Sequence, residues 1–385
     1  MMKIIYLLSI LLSLFVFQPL KAQEEESPLK FYLVTCDPGK DVASSFGHSA
    51  IRMQNSVTGL DLIFNYGTYN FNAPHFLWKF LRGDLDYMLS INEYGRFLAN
   101  YRHYNRGVIQ REIYLTDEQK DELFLFLENN YKPSNRYYRY DFIIDNCATR
   151  IRDIFMSEDF TFYNKNVDLT YRENIETYLI ERPWLKLGTD LLLAQSVDEK
   201  MDSKQEMFLP SKLESNLMKV FNKKEETKLL GGATVLVPKT KDAHFSFFLS
   251  PLFIFSILAF MAIIFLFTNW KILLVYSRLY FFILGIGGII LTFMWFGTNH
   301  SCTPNNWNLI WMNPLFLLPS LIKEKSSFRE FFVVIIAILM IMFLGAFFFL
   351  PQSINIAAIP IAVTLIIFAL PYLSKVINLF NRNSR

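Results

Sequence analysis

The chain has 385 residues, 52% of them hydrophobic and 39 of them Phe, and its formal net charge is only +3. No basic block with interleaved stacking aromatics occurs, so the composition argues against a nucleic-acid-binding protein. The apolar residues are concentrated after His244, whereas the chain up to Ala243 is mixed and charged. This distribution predicts a soluble domain over residues 23–244 and a membrane domain over residues 245–385.

The first 22 residues have the pattern of a secretory signal peptide. Lys3 supplies a positive start, Ile4–Phe17 is an apolar core too short for a comfortable membrane span, and Pro19 and Ala22 mark a cleavage boundary. The alternative is an uncleaved anchor, which the length and the flanking residues favour less. Under either interpretation the following domain is exported.

The exported part mixes strand and helix patterns, which predicts an α+β domain. The predicted strands are Lys30–Thr35, His48–Gln54, Leu60–Tyr66, Arg106–Tyr114 and Ala233–Pro238. The predicted helices are Asn92–Tyr104, a helix from the capping box at Thr116 to about Asn129, Tyr171–Tyr178, Asp190–Ala194 and Ser211–Asn222.

A hairpin carries the first candidate for catalysis, His48. If its turn centres near Ser56 or Val57, His48 lies opposite Asn65 or Tyr66, within about 5 Å across the strands. Asn65 is then placed to bind a ring nitrogen of His48 and fix its tautomer. A slip of one residue substitutes Tyr66.

The second candidate is Cys147. An aromatic and β-branched run, Tyr140–Asp145, predicts an extended segment, and Asn146 and Cys147 then begin a helix-compatible segment. A cysteine at a helix start is readily ionised, because the helix dipole and the free backbone N–H groups favour negative charge. His48 is the base that can take its proton, Asn65 orients the imidazole, and the helix N–H groups can hold an oxyanion.

The remaining contact candidates are polar groups near this pair: Asn146 and Tyr66 for substrate or oxyanion, and Arg150 and Arg152 for a phosphate or carboxylate. The competing interpretation is structural. A lone cysteine is more often a small buried hydrophobe, and the arginines more often form ion pairs with neighbouring aspartates. The three cysteines leave a single disulfide open, either Cys36–Cys302 or Cys36–Cys147. No CxxC or HExxH spacing occurs, so neither a metal site nor a cofactor is expected.

The apolar half predicts an all-α membrane domain with about five spans. The loops Gly297–Asn306 and Pro351–Asn355 carry no Lys or Arg, whereas the opposite connections carry several, so these two loops are predicted on the outer side with the soluble domain. The first of them contains His300, which either completes a lipid-level pocket beneath Cys147 or belongs to an ordinary connection. The predicted spans are Phe245–Phe267, Tyr280–Phe296, Trp307–Leu321, Phe331–Leu350 and Ile354–Leu373.

Two stretches, Gly47-His48-Ser49-Ala50-Ile51 and Asn146-Cys147-Ala148-Thr149-Arg150, resemble the permuted papain-like proteins of the NlpC and lecithin retinol acyltransferase group. In that group the histidine opens a strand and precedes an Asn-Cys pair that opens a helix. Those relatives often carry a second histidine on the return strand, where this chain offers Asn65. Over nearly its full length the chain resembles the Lnb-type lipoprotein N-acyltransferases of Bacteroidota.

This resemblance implies transfer of an acyl chain from a membrane phospholipid, through a thioester on Cys147, to the α-amine of the lipidated N-terminal cysteine of a lipoprotein. It implies a multi-pass protein of the inner membrane with its catalytic domain in the periplasm. Two other functions remain open. A papain-like amidase or peptidase of the cell envelope would work as an isolated soluble domain, and a non-catalytic protein that binds an envelope partner would tolerate Cys147→Ala.

Overall fold

The computed structural model describes residues 27–239, 245–324 and 326–383. The predicted signal peptide, Met1–Ala22, and the predicted boundary at His244 lie outside these residues. Within the described part, the chain forms a mixed α+β domain up to residue 239 and a helical domain from residue 245 onward.

The N-terminal domain is built around a seven-stranded sheet with the order β12-β5-β1-β2-β3-β4-β6, in which every neighbouring pair is antiparallel. Its central strands are apolar and β-branched, as expected for strands covered on both faces. The sheet strands are β1 (Leu29–Cys36), β2 (His48–Asn55), β3 (Asp61–Tyr69), β4 (Asp86–Glu93), β5 (Val108–Ile113), β6 (Tyr137–Arg139) and β12 (Leu230–Val237). The short pairs outside it are formed by β7 (Phe160–Thr161), β8 (Asn166–Thr170), β9 (Lys200–Asp202), β10 (Phe221–Asn222) and β11 (Thr227–Lys228).

Helices cover both faces of this sheet. One face packs against α3, α4 and α8 in the largest core, and the other face packs against α2 through Phe97, Leu98 and Tyr101. The helices of this domain are α1 (Phe76–Arg82), α2 (Tyr94–His103), α3 (Asp117–Tyr131), α4 (Cys147–Ile154), α5 (Tyr171–Glu176), α6 (Pro183–Leu192), α7 (Ser203–Glu206) and α8 (Pro210–Leu217).

Three segments of this domain differ from their predictions. The helix predicted over Ser211–Asn222 begins at Pro210 and ends at Leu217, and Phe221–Asn222 forms strand β10. The helix predicted at Asp190–Ala194 is the end of a longer one, α6, which starts at Pro183, a residue favoured at the first position of a helix. The run Tyr140–Asp145 is a turn rather than a strand. Asp141 and Asp145 form an isolated antiparallel bridge, and the Asp141 carboxylate accepts the N–H groups of the two isoleucines between them at 2.9 and 3.0 Å.

In the C-terminal domain, three described helices are long and apolar enough to cross a membrane: Pro251–Thr268, Trp270–Phe296 and Ser327–Phe349. A shorter apolar helix, Ala358–Leu373, follows them. The predicted third span, Trp307–Leu321, is not one helix. It divides into two short 3-10 turns and a five-residue helix, and Pro314, which has no N–H to donate, begins the second of these turns. The helices here are α9 (Pro251–Thr268), α10 (Trp270–Phe296), α11 (Leu317–Leu321), α12 (Ser327–Ala346) and α13 (Ala358–Asn383).

Two described basic side chains of this domain, Arg278 and Arg329, contact the segment around α11. Lys271 and Arg278, predicted in a loop, lie inside α10, because this helix begins ten residues earlier than predicted. Arg278 donates to the Ser320 and Ile322 carbonyls at 3.0 Å, and Arg329 donates to the Pro319 carbonyl at 2.9 Å. These contacts place the basic side chains at one end of the helices.

The opposite end of the helical domain holds the N-terminal domain. The last turn of α6 leaves carbonyls without helical partners. The loop amides Asn306 and Asn308 donate to the Leu191 and Asp190 carbonyls at 2.6 and 2.8 Å, and Asn355 donates to the Asp190 carboxylate at 2.7 Å. The two loops without Lys or Arg therefore face the N-terminal domain.

Candidate active site

His48, Asn65 and Cys147 meet at one end of the sheet. His48 is the first residue of β2, Asn65 lies in β3, and Cys147 is the first residue of α4. The His48 Nε2 atom lies 3.1 Å from the Asn65 Oδ1 atom, and the imidazole and the Cys147 thiol are close enough to shift each other's pKa. With Nε2 occupied by the amide, Nδ1 is the ring nitrogen left to exchange a proton with sulfur.

The strand register differs from the prediction. The pairing runs from Gln54 opposite Asp61 to Ile51 opposite Phe64. Continued to the strand end, it places His48 opposite Gly67, with Asn65 as the diagonal neighbour. Diagonal side chains on one face are still within reach of each other. The contact between His48 and Asn65 therefore forms although the two residues are not directly paired.

Gly67 lies next to the Cys147 side chain, and its backbone conformation, rather than lack of space, favours glycine there. Its φ of +88° belongs to the left-handed region, and a Cβ added there would lie 3.7 Å from the Cβ of Cys147. The pairing of β3 with β4 shifts by one residue between Asn65 and Thr68, which is the signature of a β-bulge. The bulge lets the start of α4 approach the strand closely. The sequence shows a glycine at this position but gives no sign of the bulge.

The orientation of the Asn65 amide is set by a second amide. Asn65 Nδ2 donates to the Asn92 Oδ1 atom at 3.0 Å, which turns its own Oδ1 toward His48. That oxygen accepts a hydrogen bond from Nε2–H, so the neutral imidazole carries its proton on Nε2 and presents a basic Nδ1 to the cysteine. Asn92 was not among the predicted site residues, because it lies on β4, a strand that the sequence pattern did not reveal.

The surroundings of Cys147 favour its thiolate. Burial raises the pKa of this thiol, but the His48 imidazole and the backbone N–H groups of Ser49 and Ala148 outweigh burial, so that the pKa lies below its usual value. For His48, burial lowers the pKa, yet the neighbouring sulfur and the Asn65 amide raise it above its usual value. Both shifts favour a thiolate–imidazolium pair.

The other two cysteines lie in different surroundings. All three cysteines are within the described residues, and all are free thiols, so neither of the disulfides left open by the sequence is present. Cys36 and Cys302 are buried, and burial raises the pKa of each to about 12. Only Cys147 combines access to a cavity with a lowered pKa.

Asn146 has a structural role in the fold. Its Oδ1 atom accepts the N–H groups of Ala148 and Thr149 at 2.8 and 3.0 Å, and its Nδ2 atom donates to the carbonyls of Phe142 and Phe208. The side chain is therefore the N-cap of α4. Two N–H groups expected to form an oxyanion hole are occupied by this cap.

A cavity of about 300 Å³ opens above the Cys147 sulfur. Aromatic side chains dominate its wall, and His300 of the loop between α10 and α11 closes one side. The His300 Nε2 atom lies 3.2 Å from the Leu81 carbonyl of α1. The loop thus contributes to the wall of the cavity that holds Cys147. The aromatic residues in the wall are Phe46, Tyr69, Phe80, Tyr87, Tyr140, Phe142 and Phe208.

The remaining predicted contacts lie elsewhere. Tyr66 and Arg150 line a separate cavity of about 720 Å³ between α3 and α4. Arg150 forms a bidentate pair with Asp145 at 2.6 and 2.8 Å, and Arg152 pairs with Asp153 at 2.8 Å. Their guanidinium groups are therefore held in ion pairs away from the thiol, as the structural interpretation expected.

Comparison with protein families identifies both parts of the chain. Residues 18–177 match the family model described as the Lnb N-terminal periplasmic domain, and residues 242–377 match the Lnb transmembrane domain. No curated protein and no solved structure matches the chain significantly. The chain is therefore a membrane protein of the Lnb family, with a periplasmic N-terminal domain followed by a transmembrane domain.

Proposed function

We propose that this protein is an apolipoprotein N-acyltransferase with a cysteine nucleophile. The proposed reaction moves an acyl chain from a membrane phospholipid to the α-amine of the lipidated N-terminal cysteine of a lipoprotein. The arrangement of His48 before Cys147 in the chain fits the permuted papain-like order, with Asn65 as the third member. We also propose that the protein crosses the inner membrane several times and needs no cofactor.

In the first half-reaction, the Cys147 thiolate bonds to the ester carbonyl carbon of the phospholipid, and the carbonyl electron pair moves to oxygen. When that pair returns, the ester C–O bond breaks and the leaving alkoxide takes a proton from the His48 imidazolium. A lysophospholipid departs, and the acyl chain remains on Cys147 as a thioester. His48 is left as a neutral base.

In the second half-reaction, the neutral amine of the lipoprotein attacks the thioester carbonyl carbon. His48 takes one proton from the attacking nitrogen. The C–S bond then breaks, which returns the Cys147 thiolate beside an imidazolium and releases an amide. An apolar cavity that admits little water favours the amine over hydrolysis of the thioester.

The observation that carries this proposal is the position of the thiol. Cys147 lies with His48 in an aromatic cavity whose wall includes His300, a residue from the transmembrane domain. A site built jointly by both domains suits an ester substrate that is held in the bilayer. A peptidase acting on a soluble peptide would need no such contribution.

The test is intact-mass analysis of the full-length protein after incubation with phospholipid vesicles. We expect an added acyl mass on Cys147, and its transfer to a synthetic diacylglyceryl peptide with a free α-amine. Cys147→Ala should show neither product. Peptide cleavage without acyl transfer would favour the amidase instead, and retained lipoprotein acylation in Cys147→Ala would exclude the mechanism.

A further inference from the structure

Helix α1 exposes an unusual amount of apolar surface for a helix outside the transmembrane domain. All seven of its residues are described, and none of them is buried. Leu77 is 66% exposed and Trp78 is 53% exposed, and Phe71 in the preceding turn is 70% exposed. Contiguous apolar surface of this kind marks a contact with a partner or with a membrane.

The position of α1 argues for lipid. The Trp78 ring lies 5.7 Å from the ring of Phe293, which is in the last turn of α10, one of the three helices long enough to span a membrane. The Arg82 carbonyl accepts the Asn299 N–H at 2.8 Å, just beyond the end of the same helix. The apolar surface of α1 therefore continues the lipid-facing surface of a span at the depth where that span ends.

The charges of α1 fit the same location. Lys79 and Arg82 lie in its last turn, among apolar neighbours. Cationic side chains on a helix in the membrane interface extend toward lipid phosphates while their apolar neighbours enter the acyl region. A tryptophan at this level is also typical of the interface.

The inner side of α1 belongs to the active-site cavity. Phe80 lines the cavity together with Tyr69 and Tyr87, and the Tyr87 ring stacks on that of Tyr140 at 4.5 Å, beside Cys147. Apolar surface thus runs from the outer face of α1 to the thiol. The cavity of about 300 Å³ is at the small end for ligand sites, so most of a two-chain phospholipid must remain outside it.

We propose that residues 71–82 form a lip embedded in the outer leaflet of the membrane, past which a phospholipid acyl ester enters the cavity sideways from the bilayer. The proposal rests on the acyltransfer reaction proposed above and adds the route of its lipid substrate. In this proposal, bilayer phospholipid rather than a protein covers the exposed face of α1.

The first test measures lipid contact without relying on catalysis. A photo-reactive residue replaces Leu77 in the full-length protein, reconstituted in phosphatidylethanolamine–phosphatidylglycerol vesicles and irradiated. The control position is Val57, which is 80% exposed in the turn at the other end of β2. We expect lipid adducts, measured by intact mass, to be about ten-fold more abundant at position 77 than at position 57. Equal labelling, or crosslinks to protein alone, would overturn the proposal.

The second test measures whether vesicle phospholipid reaches the thiol past α1. The double variant Leu77→Glu/Leu81→Glu should lose about ten-fold or more of the rate of thioester formation from vesicle phospholipid. With a water-soluble short-chain ester, its rate should stay within about two-fold of the wild type, which also reports a folded site. Val57→Glu should leave both rates unchanged. An equal loss with both esters, or no loss with vesicles, would contradict the route.

These outcomes separate the two proposals. If the wild-type chain forms no thioester with either ester, the acyltransferase proposal fails, while the lipid adducts at position 77 still decide whether α1 enters the membrane. If the wild-type chain forms the thioester but position 77 yields no lipid adduct, only the entry route fails.

Discussion

Helix α4 lines two cavities, which differ both in volume and in the chemistry of their lining residues. Its first residue, Cys147, lies in the cavity of about 300 Å³, and its later turn places Arg150 in the cavity of about 720 Å³. In the larger cavity, Arg150 is paired with Asp145 and lies 3.9 Å from the centre of the Tyr138 ring, and the other charged lining groups are the carboxylates of Glu122, Asp153 and Asp159. In the smaller one, a thiol with a lowered pKa faces a base.

The comparison shows that volume alone does not identify the reactive site. A shifted pKa together with a specific partner in a cleft is the better indicator of function. The prediction that follows is that reactivity is lost by changes in the small cavity and preserved by changes in the large one. The variants below test this division, beginning with the largest expected effect.

Replacement of the nucleophile should have the largest effect. Cys147→Ala removes the atom that forms the thioester, so we expect the acyl-transfer rate to fall by about 10⁴-fold or more. The measurement is intact-mass detection of the acyl-enzyme and of the acylated acceptor. Cys302→Ala is the matched control, because Cys302 is also a free thiol but has a raised pKa and lies outside this cavity. An equal loss in the control variant would contradict the assignment.

Replacement of the base should come next. His48→Ala removes the group that exchanges protons in both half-reactions, for which we expect a loss of about 10²- to 10⁴-fold. The loss should appear in thioester formation from phospholipid as well as in the overall transfer. His103→Ala, a substitution at the exposed end of α2, serves as the control histidine variant. Normal thioester formation in His48→Ala would exclude its role as the base.

The His48→Ala variant should also change how the reactivity of the Cys147 thiol depends on pH. In the wild type, the lowered pKa of Cys147 keeps the thiolate populated below the pH at which an ordinary thiol protonates. Without His48, burial is no longer offset by the imidazole, so the pKa should rise. The pH profile for alkylation of Cys147 by iodoacetamide should therefore move to higher pH in His48→Ala, as measured by peptide mass spectrometry. An unchanged profile would show that the imidazole does not set the thiol pKa.

A smaller loss of the acyl-transfer rate is expected when His48 loses the side chain that orients its imidazole. Asn65→Ala removes the acceptor of the Nε2 proton, and misorientation of the ring should lower the transfer rate by roughly ten- to a hundred-fold. Asn65→Asp keeps an acceptor oxygen and should restore part of the rate. It should also raise the pKa of His48 further, seen as a shifted pH profile. Equal losses in both variants would indicate a merely structural role.

The sequence predicted the members of the site because short-range signals determine where they lie. A hairpin brings Asn65 within reach of His48 in several registers. The contact between the two side chains therefore forms as predicted, although the predicted register was wrong. A polar pair before a helix, Asn146 and Cys147, predicted the N-terminal position of the thiol. The capping box at Thr116 and Gln119 likewise forms as predicted.

The failures arose where turn chemistry or long-range contacts override the hydrophobic pattern. Asp141 closes a turn with its own carboxylate, so that an apolar run with strand propensity does not extend. Helix α1 was not predicted, because its apolar residues are exposed instead of forming a buried stripe, and no amphipathic periodicity marks it. Arg150 follows Cys147 by less than one helical turn, yet its side chain leaves the helix toward the other cavity. Spacing along the chain could not reveal that direction.

The smallest expected effect concerns Arg150 itself. Arg150→Gln should leave the acyl-transfer rate within about two-fold of the wild type, because this side chain lines the larger cavity and not the one with the thiol. It should still lower stability slightly. The ion pair with Asp145 is about one-third exposed and contributes at most about 1 kcal/mol, and the contact with the Tyr138 ring adds about 0.5 to 1 kcal/mol.

Thermal unfolding in detergent measures that change, and Arg152→Gln is the control because its Asp153 pair lies outside the ring contact. If Arg150→Gln instead removed most of the transfer activity while the unfolding temperature stayed unchanged, the larger cavity would have to bind a substrate. The two cavities would then belong to one extended site, with α4 as their shared wall, and the acceptor lipoprotein would be the substrate to test there first.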